Sequence, residues 1–263
     1  IDTIKHIISA IAIALASSCE PIEYQNNTNT NFAIPQKSES AILIEHEGFT
    51  VSYVDKHKQA EWVAYRLIGE DVEKKIPRTN KYTEDPLYPN CATDSDYKYS
   101  GYDRGHLFPA ANAWTENIMK ESFYFTNICP QNNSFNSGVW NRLETLVREW
   151  AVKYDTIHVV TGSILSDGLK TIGNNKVSVP KYMYKVVVVN TDTTKQGIAF
   201  LIENKGSNIK DYEKFALTID ELEELTNLDF CTNLPDYLET EIESSFNYGR
   251  CESCCIAQSS RSS

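Results

Sequence analysis

The sequence predicts an α+β fold, in which helices flank a sheet. Residues 49–68 alternate between apolar and polar side chains, which is typical of strands. Residues 137–155 instead carry apolar side chains at spacings of three and four, which is typical of an amphipathic helix. Strands and helices mix along the chain without the regular βαβ alternation of a doubly wound parallel sheet.

The remaining elements follow from the same kinds of pattern. A turn around Asp55–Gln59 joins the first two strands, and a long loop rich in Lys, Tyr, Asp and Pro follows at 72–101. A short helix is predicted at 217–228, because Thr218 and Glu221 form a capping-box pattern. The other predicted strands are 122–131, 156–164, 181–190 and 196–204.

Residues 1–19 have the pattern of a leader for export. Ile7–Ala16 is an apolar run of about ten residues between Lys5 and a group of small residues, too short for a transmembrane helix of roughly 20 residues but typical of a secretory signal. Cys19 follows Leu-Ala-Ser-Ser, as at a lipoprotein cleavage site, so the sequence is compatible with a lipid anchor there. We therefore expect an exported bacterial protein that is secreted, periplasmic or anchored to the cell envelope; a short amphipathic helix is the alternative.

The rest of the chain divides into three parts. Residues 20–40 are polar and lack periodicity, which predicts a linker. Residues 41–245 are long enough for one domain. Residues 246–263 form a Cys- and Ser-rich tail, in which Cys-Glu-Ser-Cys-Cys is half of a zinc-site pattern without a matching Cys or His pair elsewhere. A poorly ordered tail fits this segment better than a zinc site.

The charge of the chain limits the classes of function. Its net charge is −11 over 263 residues, which argues against a broadly cationic nucleic-acid binder, because contacts to phosphates need Lys and Arg. Net charge does not set the sign of a single cleft. A local group of arginines can therefore still hold a phosphate.

The predicted helix carries a row of polar residues. Asn136, Trp140, Glu144 and Arg148 follow one another at spacings of four, so they lie on one helical face, and Glu144 can contact Arg148. Asn136 lies at the helix start. An N-cap asparagine with a surface ion pair is the structural alternative.

The segment Tyr102–Trp114, which we expect to be a loop, contains several side chains that can take part in catalysis. His106 has an ordinary pKa of about 6.5, suited to a general base, and Arg104 offers a forked, permanently charged donor set for phosphate. A structural His beside an Arg is the alternative. Because the sequence has no HxH, HExxH or Asp-rich metal motif, any metal would have few protein ligands, as Mg²⁺ accepts.

Together these segments resemble a known family. "DRGHLFPAANAW" and "FYFTNICPQNNSFNSGVWNRLE" are similar to the DNA/RNA non-specific endonucleases, which include mitochondrial endonuclease G and secreted bacterial nucleases. "PRTNKYTEDP" lies upstream and "VPKYMYKVVV" downstream in the family's order, so the resemblance covers roughly residues 45–240.

The resemblance implies a ββα-metal (His-Me finger) nuclease fold with a central mixed or antiparallel sheet. It implies that His106 is the general base, that Asn136 is the sole direct protein ligand of Mg²⁺, with Mn²⁺ as a substitute, and that Glu144 orients waters around the ion. The implied reaction is hydrolysis of phosphodiesters in both DNA and RNA, which leaves 5′-phosphate ends.

The resemblance also assigns the residues around this set. Arg104 and Arg148 match arginines near the phosphate and the helix carboxylate, and Arg78 matches an arginine that stabilises charge in the transition state. Asp103 is expected to brace its segment rather than to act on substrate. Asn127 is expected to position His106 or the helix start.

A catalytically idle nucleic-acid-binding or envelope protein of the same fold is the competing hypothesis. A binder needs the arginines but neither the base His106 nor the pair Asn136 and Glu144, so the complete set favours the enzyme. We expect DNA and RNA as substrates and no transmembrane segment, and the sequence is compatible with a homodimer.

Overall fold

The computed structural model describes residues 31–206 and 212–246. The predicted leader 1–19, Cys19 and all but the first residue of the predicted tail lie outside the described residues. Within the described part of the chain, no helix is long and apolar enough to cross a membrane.

Strands and helices alternate irregularly along the chain. The strands are β1 (Ala41–Glu45), β2 (Thr50–Val54), β3 (Gln59–Ile68), β4 (Asp103–His106), β5 (Ile128–Gln131), β6 (Thr156–Ser163), β7 (Thr171–Ile172), β8 (Val177–Ser178), β9 (Tyr182–Asn190), β10 (Lys195–Glu203) and β11 (Ala216–Leu217). The helices are α1 (Gly69–Val72), α2 (Asp94–Tyr97), α3 (Glu116–Glu121), α4 (Asn141–Tyr154), α5 (Ile219–Thr226) and α6 (Asp236–Glu243). The predicted capping box of Thr218 and Glu221 opens α5.

The centre of the fold is a seven-stranded antiparallel sheet in the order β1-β2-β3-β6-β9-β10-β11. Its middle strands are covered on both faces. In β9, Met183 and Val187 belong to the core beneath α4, whereas Tyr184 and Val186 belong to the core beneath α5 and α6. Successive side chains of a strand point to opposite faces, so two covered faces explain why β9 is apolar almost throughout. The predicted α+β class is confirmed.

A second, smaller element carries the charged segment 103–106. Asp103–His106 is not a loop but strand β4, which pairs with β5 in antiparallel register, with Gly105 opposite Cys129. Gly105 is required there because a Cβ atom would overlap the buried side chain of Gln131. The expected loop was wrong because four residues suffice for a strand once a partner strand supplies hydrogen bonds, which the sequence pattern does not show.

The predicted helix 137–155 also starts differently. Regular helix begins at Asn141, and a π-helical turn over Phe135–Trp140 precedes it. Gly138 interrupts this turn with φ −102° and ψ −110°, a conformation that side chains disfavour. Asn136 is therefore on a separate turn from Glu144, although β4, β5 and this helix together form the ββα unit.

Two other predicted elements differ in part from their patterns. Within 122–131, only β5 is a strand, and a 3₁₀ turn at Phe125–Asn127 precedes it. The long loop 72–101 is largely irregular, as predicted, apart from α2.

The chain packs against the sheet before Ala41, inside the segment predicted as a linker. Phe32 is only 5% exposed and belongs to the core beneath α5 and α6. Its backbone N–H donates to Nδ1 of His158 (3.3 Å), and its ring lies 4.7 Å from the His158 ring. Burial, with the charge of Arg66, lowers the pKa of His158 to about 4, so Nδ1 stays free to accept this bond at neutral pH. The polar composition of the surrounding residues gives no sign of this anchor.

We predict that Phe32→Ala lowers the free energy of unfolding by about 3 kcal/mol, because it leaves a cavity in this core. Urea unfolding of the full chain measures the change. Leu87→Ala is the matched control, since Leu87 is 61% exposed and should change stability by less than about 0.5 kcal/mol. If the two changes lowered the free energy of unfolding equally, residues 31–40 would behave as a linker rather than as part of the domain.

Candidate active site

Strand β4 places two of the predicted site residues over an aromatic floor. Arg104 and His106 are two residues apart, so they share one face of the strand. The Tyr82 ring lies 5.7 Å from the His106 ring and 5.4 Å from the Arg104 guanidinium carbon. Phe123 meets His106 edge-on at 4.8 Å and lies 4.9 Å from the Arg78 guanidinium carbon. These contacts gather Arg78, Arg104 and His106 around two rings.

His106 is held in its neutral form. The residue is 9% exposed, and its Nε2 atom is buried without a hydrogen-bond partner among the described residues. Burial lowers the pKa of His106 to about 3, and the positive charge of Arg78 acts in the same direction. A neutral imidazole with an unused ring nitrogen is available to accept a proton at neutral pH.

Asn127 fixes the backbone that follows His106. Its Oδ1 accepts the N–H of Phe108 (2.7 Å), and its Nδ2 donates to the carbonyls of Phe108 (3.0 Å) and Ser122 (2.8 Å). Its own carbonyl accepts the N–H of Leu107 (3.0 Å). Asn127 is fully buried, so these bonds tie the end of β4 to the start of β5.

Asp103 orients the amide of Asn136. Nδ2 of Asn136 donates to Oδ2 of Asp103 (2.9 Å), and Nδ2 of Asn133 donates to the same oxygen (3.1 Å). Because the amide nitrogen of Asn136 faces Asp103, the Oδ1 atom of Asn136 is available to another partner. Asp103 thus contacts the predicted metal ligand directly, across the junction between β4 and the π-helical turn.

Glu144 on α4 lies in a group of positive charges. Burial raises its pKa, and the charge of Lys185 is the strongest influence in the opposite direction. Arg148 and Arg78 add to that influence. Arg78 is therefore close enough to act on both His106 and Glu144, and it links the β4 side of the site to the helix side.

Lys185 is a charged residue inside the sheet that the sequence analysis missed. It is fully buried in β9, donates to Oγ1 of Thr161, and lies 4.9 Å from the Trp140 ring centre. Burial lowers the pKa of Lys185, and the charge of Glu144 opposes that shift. A single lysine in an otherwise apolar strand was the available signal, because a buried amine needs a partner.

The arginines differ from their predicted contacts. Arg148 does not pair with its helical neighbour Glu144 but donates to Oγ1 of Thr145 (3.0 Å) and to Oδ1 of Asn112 (3.4 Å). A spacing of four residues places two side chains near one another on a helix, but their rotamers determine whether they make contact. Arg104 forms an ion pair with Asp94 at 2.6 Å, so part of its donor set is already used.

A basic cleft opens beside the site, with a volume of about 360 Å³. Four cationic side chains line it, and they are Lys74, Lys75, Arg78 and Arg148. Alanines 110, 111 and 113, Val72, Ile76 and Met119 form the rest of its wall. The cleft is therefore locally positive, although the whole chain carries a net charge of −11.

The sequence model described as "DNA/RNA non-specific endonuclease" matches residues 25–237, most of the chain. The chain belongs to this family. It is 34% identical to "Nuclease EXOG, mitochondrial" of Danio rerio over 76% of this chain, and it spans 63% of that protein's length. It is also 29% identical to "Nuclease" of Nostoc sp., over 89% of this chain and 95% of that protein.

A solved structure of EndoG in complex with EndoGI has the same fold. It superposes with a TM-score of 0.69 at 27% sequence identity, over 78% of this chain and 90% of that chain. The ββα-metal nuclease fold, predicted from the resemblance, is thus confirmed. In this chain the ββα unit consists of strands β4 and β5 and of the helix made up of the π-helical turn and α4.

The residues of this unit fit a hydrated divalent metal ion. The amide Oδ1 of Asn136 is free of the Asp103 contact, and Glu144 adds a carboxylate on the adjoining helix. Both groups offer oxygen, the ligand atom that Mg²⁺ prefers, and Mg²⁺ usually keeps several waters. The orphaned Nε2 of His106 provides an acceptor for one proton of a water molecule.

We predict that Asn127→Ala destabilises the protein by at least about 3 kcal/mol, because it leaves one buried N–H and two buried carbonyls of the surrounding chain without partners. Chemical denaturation measures the loss. Asn174→Ala, at an exposed position, is the control and should stay within about 0.5 kcal/mol of the wild type. A loss near that of the control would mean that Asn127 does not hold this junction.

Proposed function

We propose that this protein is a magnesium-dependent endonuclease that hydrolyses phosphodiester bonds in DNA and RNA and leaves 5′-phosphate ends. One observation carries the proposal: the Nε2 atom of His106 is buried beside Arg78 without a hydrogen-bond partner among the described residues. Burial also lowers the pKa of His106 to about 3, which favours the neutral imidazole. Its family membership and the basic cleft support the same reaction.

His106 acts as the general base. Its Nε2 accepts a proton from a water molecule, and the water oxygen forms a bond to phosphorus while the bond to the 3′ oxygen breaks. The leaving 3′ oxygen gains a proton and departs as a hydroxyl. The low pKa of His106 keeps the base unprotonated over a wide pH range, at the cost of a weaker proton acceptor.

Asn136 and Glu144 are the residues that would hold the ion. The amide Oδ1 of Asn136 is the direct ligand, with Asp103 fixing the direction of the amide, and Glu144 orients bound waters. When bound, Mg²⁺, or Mn²⁺ in its place, supplies a Lewis acid for the charge that grows on the phosphate and on the leaving oxygen.

Arg78 and Arg148 share that charge from the side of the cleft. Both line it, and Arg78 is an exposed side chain, so it is accessible to a phosphate. Arg104 contributes less to phosphate binding, because its guanidinium group is already paired with Asp94. Contacts of this kind are made to phosphates and carry no sequence information, which agrees with cleavage of both DNA and RNA.

An idle nucleic-acid binder remains the second candidate. It would need only the basic cleft, and it predicts binding without cleavage. The buried charges of Lys185 and Glu144 favour the enzyme. A surface that only binds phosphate does not need a carboxylate, because the negative charge of the carboxylate repels the phosphate.

Export is part of the same proposal. It rests on the apolar run Ile7–Ala16 and on Cys19 as a site for a lipid anchor, both of which lie outside the described residues. Mass analysis of the protein recovered from its native cells would reveal cleavage before Cys19 and any attached lipid.

We predict that His106→Ala lowers kcat/KM on closed-circular DNA and on structured RNA by about 10³-fold, since general-base catalysis contributes roughly 10²–10⁴. EDTA should abolish the wild-type activity on both substrates. His57→Ala is the matched control, because His57 is also 9% exposed but contacts Ser178 at another site. A loss below about tenfold for His106→Ala would remove His106 from the role of base.

We further predict that Lys185→Met makes the activity depend more strongly on pH. Removal of this cation raises the pKa of Glu144, because its charge is what most strongly opposes the effect of burial. The loss in kcat/KM should therefore be several-fold larger at pH 6 than at pH 8.5. Lys181→Met, at an exposed position of the same region, should leave the pH profile unchanged. Identical profiles for the two variants would show that Lys185 does not maintain the charge of Glu144.

A further inference from the structure

The face of the sheet opposite α4 carries a second group of titratable residues, which the proposed reaction does not use. Asp220 and Glu223 lie three residues apart on α5, and Glu243 is the last residue of α6. One carboxylate oxygen from each of the three lies within 4.8 Å of the others. Both helices pack on the core that contains Phe32, whereas α4 packs on the other core. This acidic group is therefore separated from the candidate active site by the sheet.

Glu243 makes this more than a surface cluster. It is 6% exposed, and its Oε1 is buried without a hydrogen-bond partner among the described residues. The thiol of fully buried Cys231 lies against it, and Glu239 adds a further negative charge nearby. In the described part of the chain, no Lys or Arg forms an ion pair with Asp220, Glu223 or Glu243. The Cys231 thiol is only a weak hydrogen-bond donor to this carboxylate, and a buried carboxylate with no cation beside it is strongly unfavourable.

The number of carboxylates indicates which cation would fit. Three carboxylate oxygens within 4.8 Å of one another can bind one ion together. Three carboxylates suit Ca²⁺, because Mg²⁺ is usually bound by one or two carboxylates and keeps several waters. Asp220 is exposed, which leaves room for water ligands on the outer side.

We propose that α5 and α6 bind one Ca²⁺ ion through the carboxylates of Asp220, Glu223 and Glu243. The ion fixes the end of α6 to the first turns of α5. Glu223 also accepts the N–H of Phe230 through Oε1 (2.7 Å), so the loop between the helices is held by the same residue. The site is structural and independent of the proposed nuclease reaction.

Protons are the competing occupants. In the absence of a cation, burial and the neighbouring carboxylates raise the pKa of Glu243 to about 8 and that of Glu223 to about 7. A test at pH 8.5 therefore favours the ionised carboxylates that Ca²⁺ would bind.

The test uses the full chain with Asn136→Ala, so that the proposed catalytic ion does not contribute. Thermal unfolding at pH 8.5 is compared in EDTA and in about 1 mM Ca²⁺, a concentration suited to extracellular calcium sites. We expect Ca²⁺ to raise Tm by about 3–10 °C, as one ion at 10–100 times its Kd would for a domain of this size. Equilibrium dialysis with radioactive Ca²⁺ should find one bound ion per chain.

Three further variants decide the assignment. Glu243→Gln and Glu223→Gln, each added to Asn136→Ala, should lose both the bound ion and the Tm rise, with native circular dichroism. Glu241→Gln removes the same charge from an exposed position of α6 and should keep both. If the Asn136→Ala chain binds no Ca²⁺, or if Glu243→Gln binds it as well as Glu241→Gln does, the proposal is overturned. Neither result depends on whether the protein cleaves nucleic acid.

Discussion

The middle strands of the sheet are buried on both faces, and this double burial limits where polar and charged side chains can lie. Strands β3, β6 and β9 have helices on both faces, so nearly every side chain along them is buried, whether it is apolar or polar. The candidate active site and the acidic group therefore lie on opposite faces of the sheet. The candidate active site lies with α4 on one face, and the acidic group lies with α5 and α6 on the other.

The same constraint gives Lys185 its importance. A lysine in the centre of such a strand loses its hydration, and it is tolerated only where other groups compensate its charge. Here Thr161, the Trp140 ring and the charge of Glu144 do so. Sheet and helix α4 are thus joined by buried charge as well as by apolar packing.

The geometry of the β4–β5 ribbon is fixed by small side chains and amide groups rather than by the packing of large side chains. Gly105 lets the ribbon approach Gln131, Asn127 clamps the chain after His106, and Asp103 turns the amide of Asn136. Each contact joins residues 19 or more positions apart in sequence. A group of polar residues in one segment therefore becomes a site only when β5 and the π-helical turn are in place.

Alternation, helical spacing and the family motifs are local properties, so the α+β class, most strand positions and a set of candidate site residues could be predicted from the sequence. The sequence did not indicate Lys185, the anchor at Phe32 or the ion pair of Arg104 with Asp94, since each depends on partners that are distant along the chain. The three-dimensional structure was needed to establish that residues 103–106 form a strand, that Gly138 separates Asn136 from α4, and that burial favours the neutral form of His106. Pairing, burial and electrostatic environment depend on neighbours in space, which no single segment encodes.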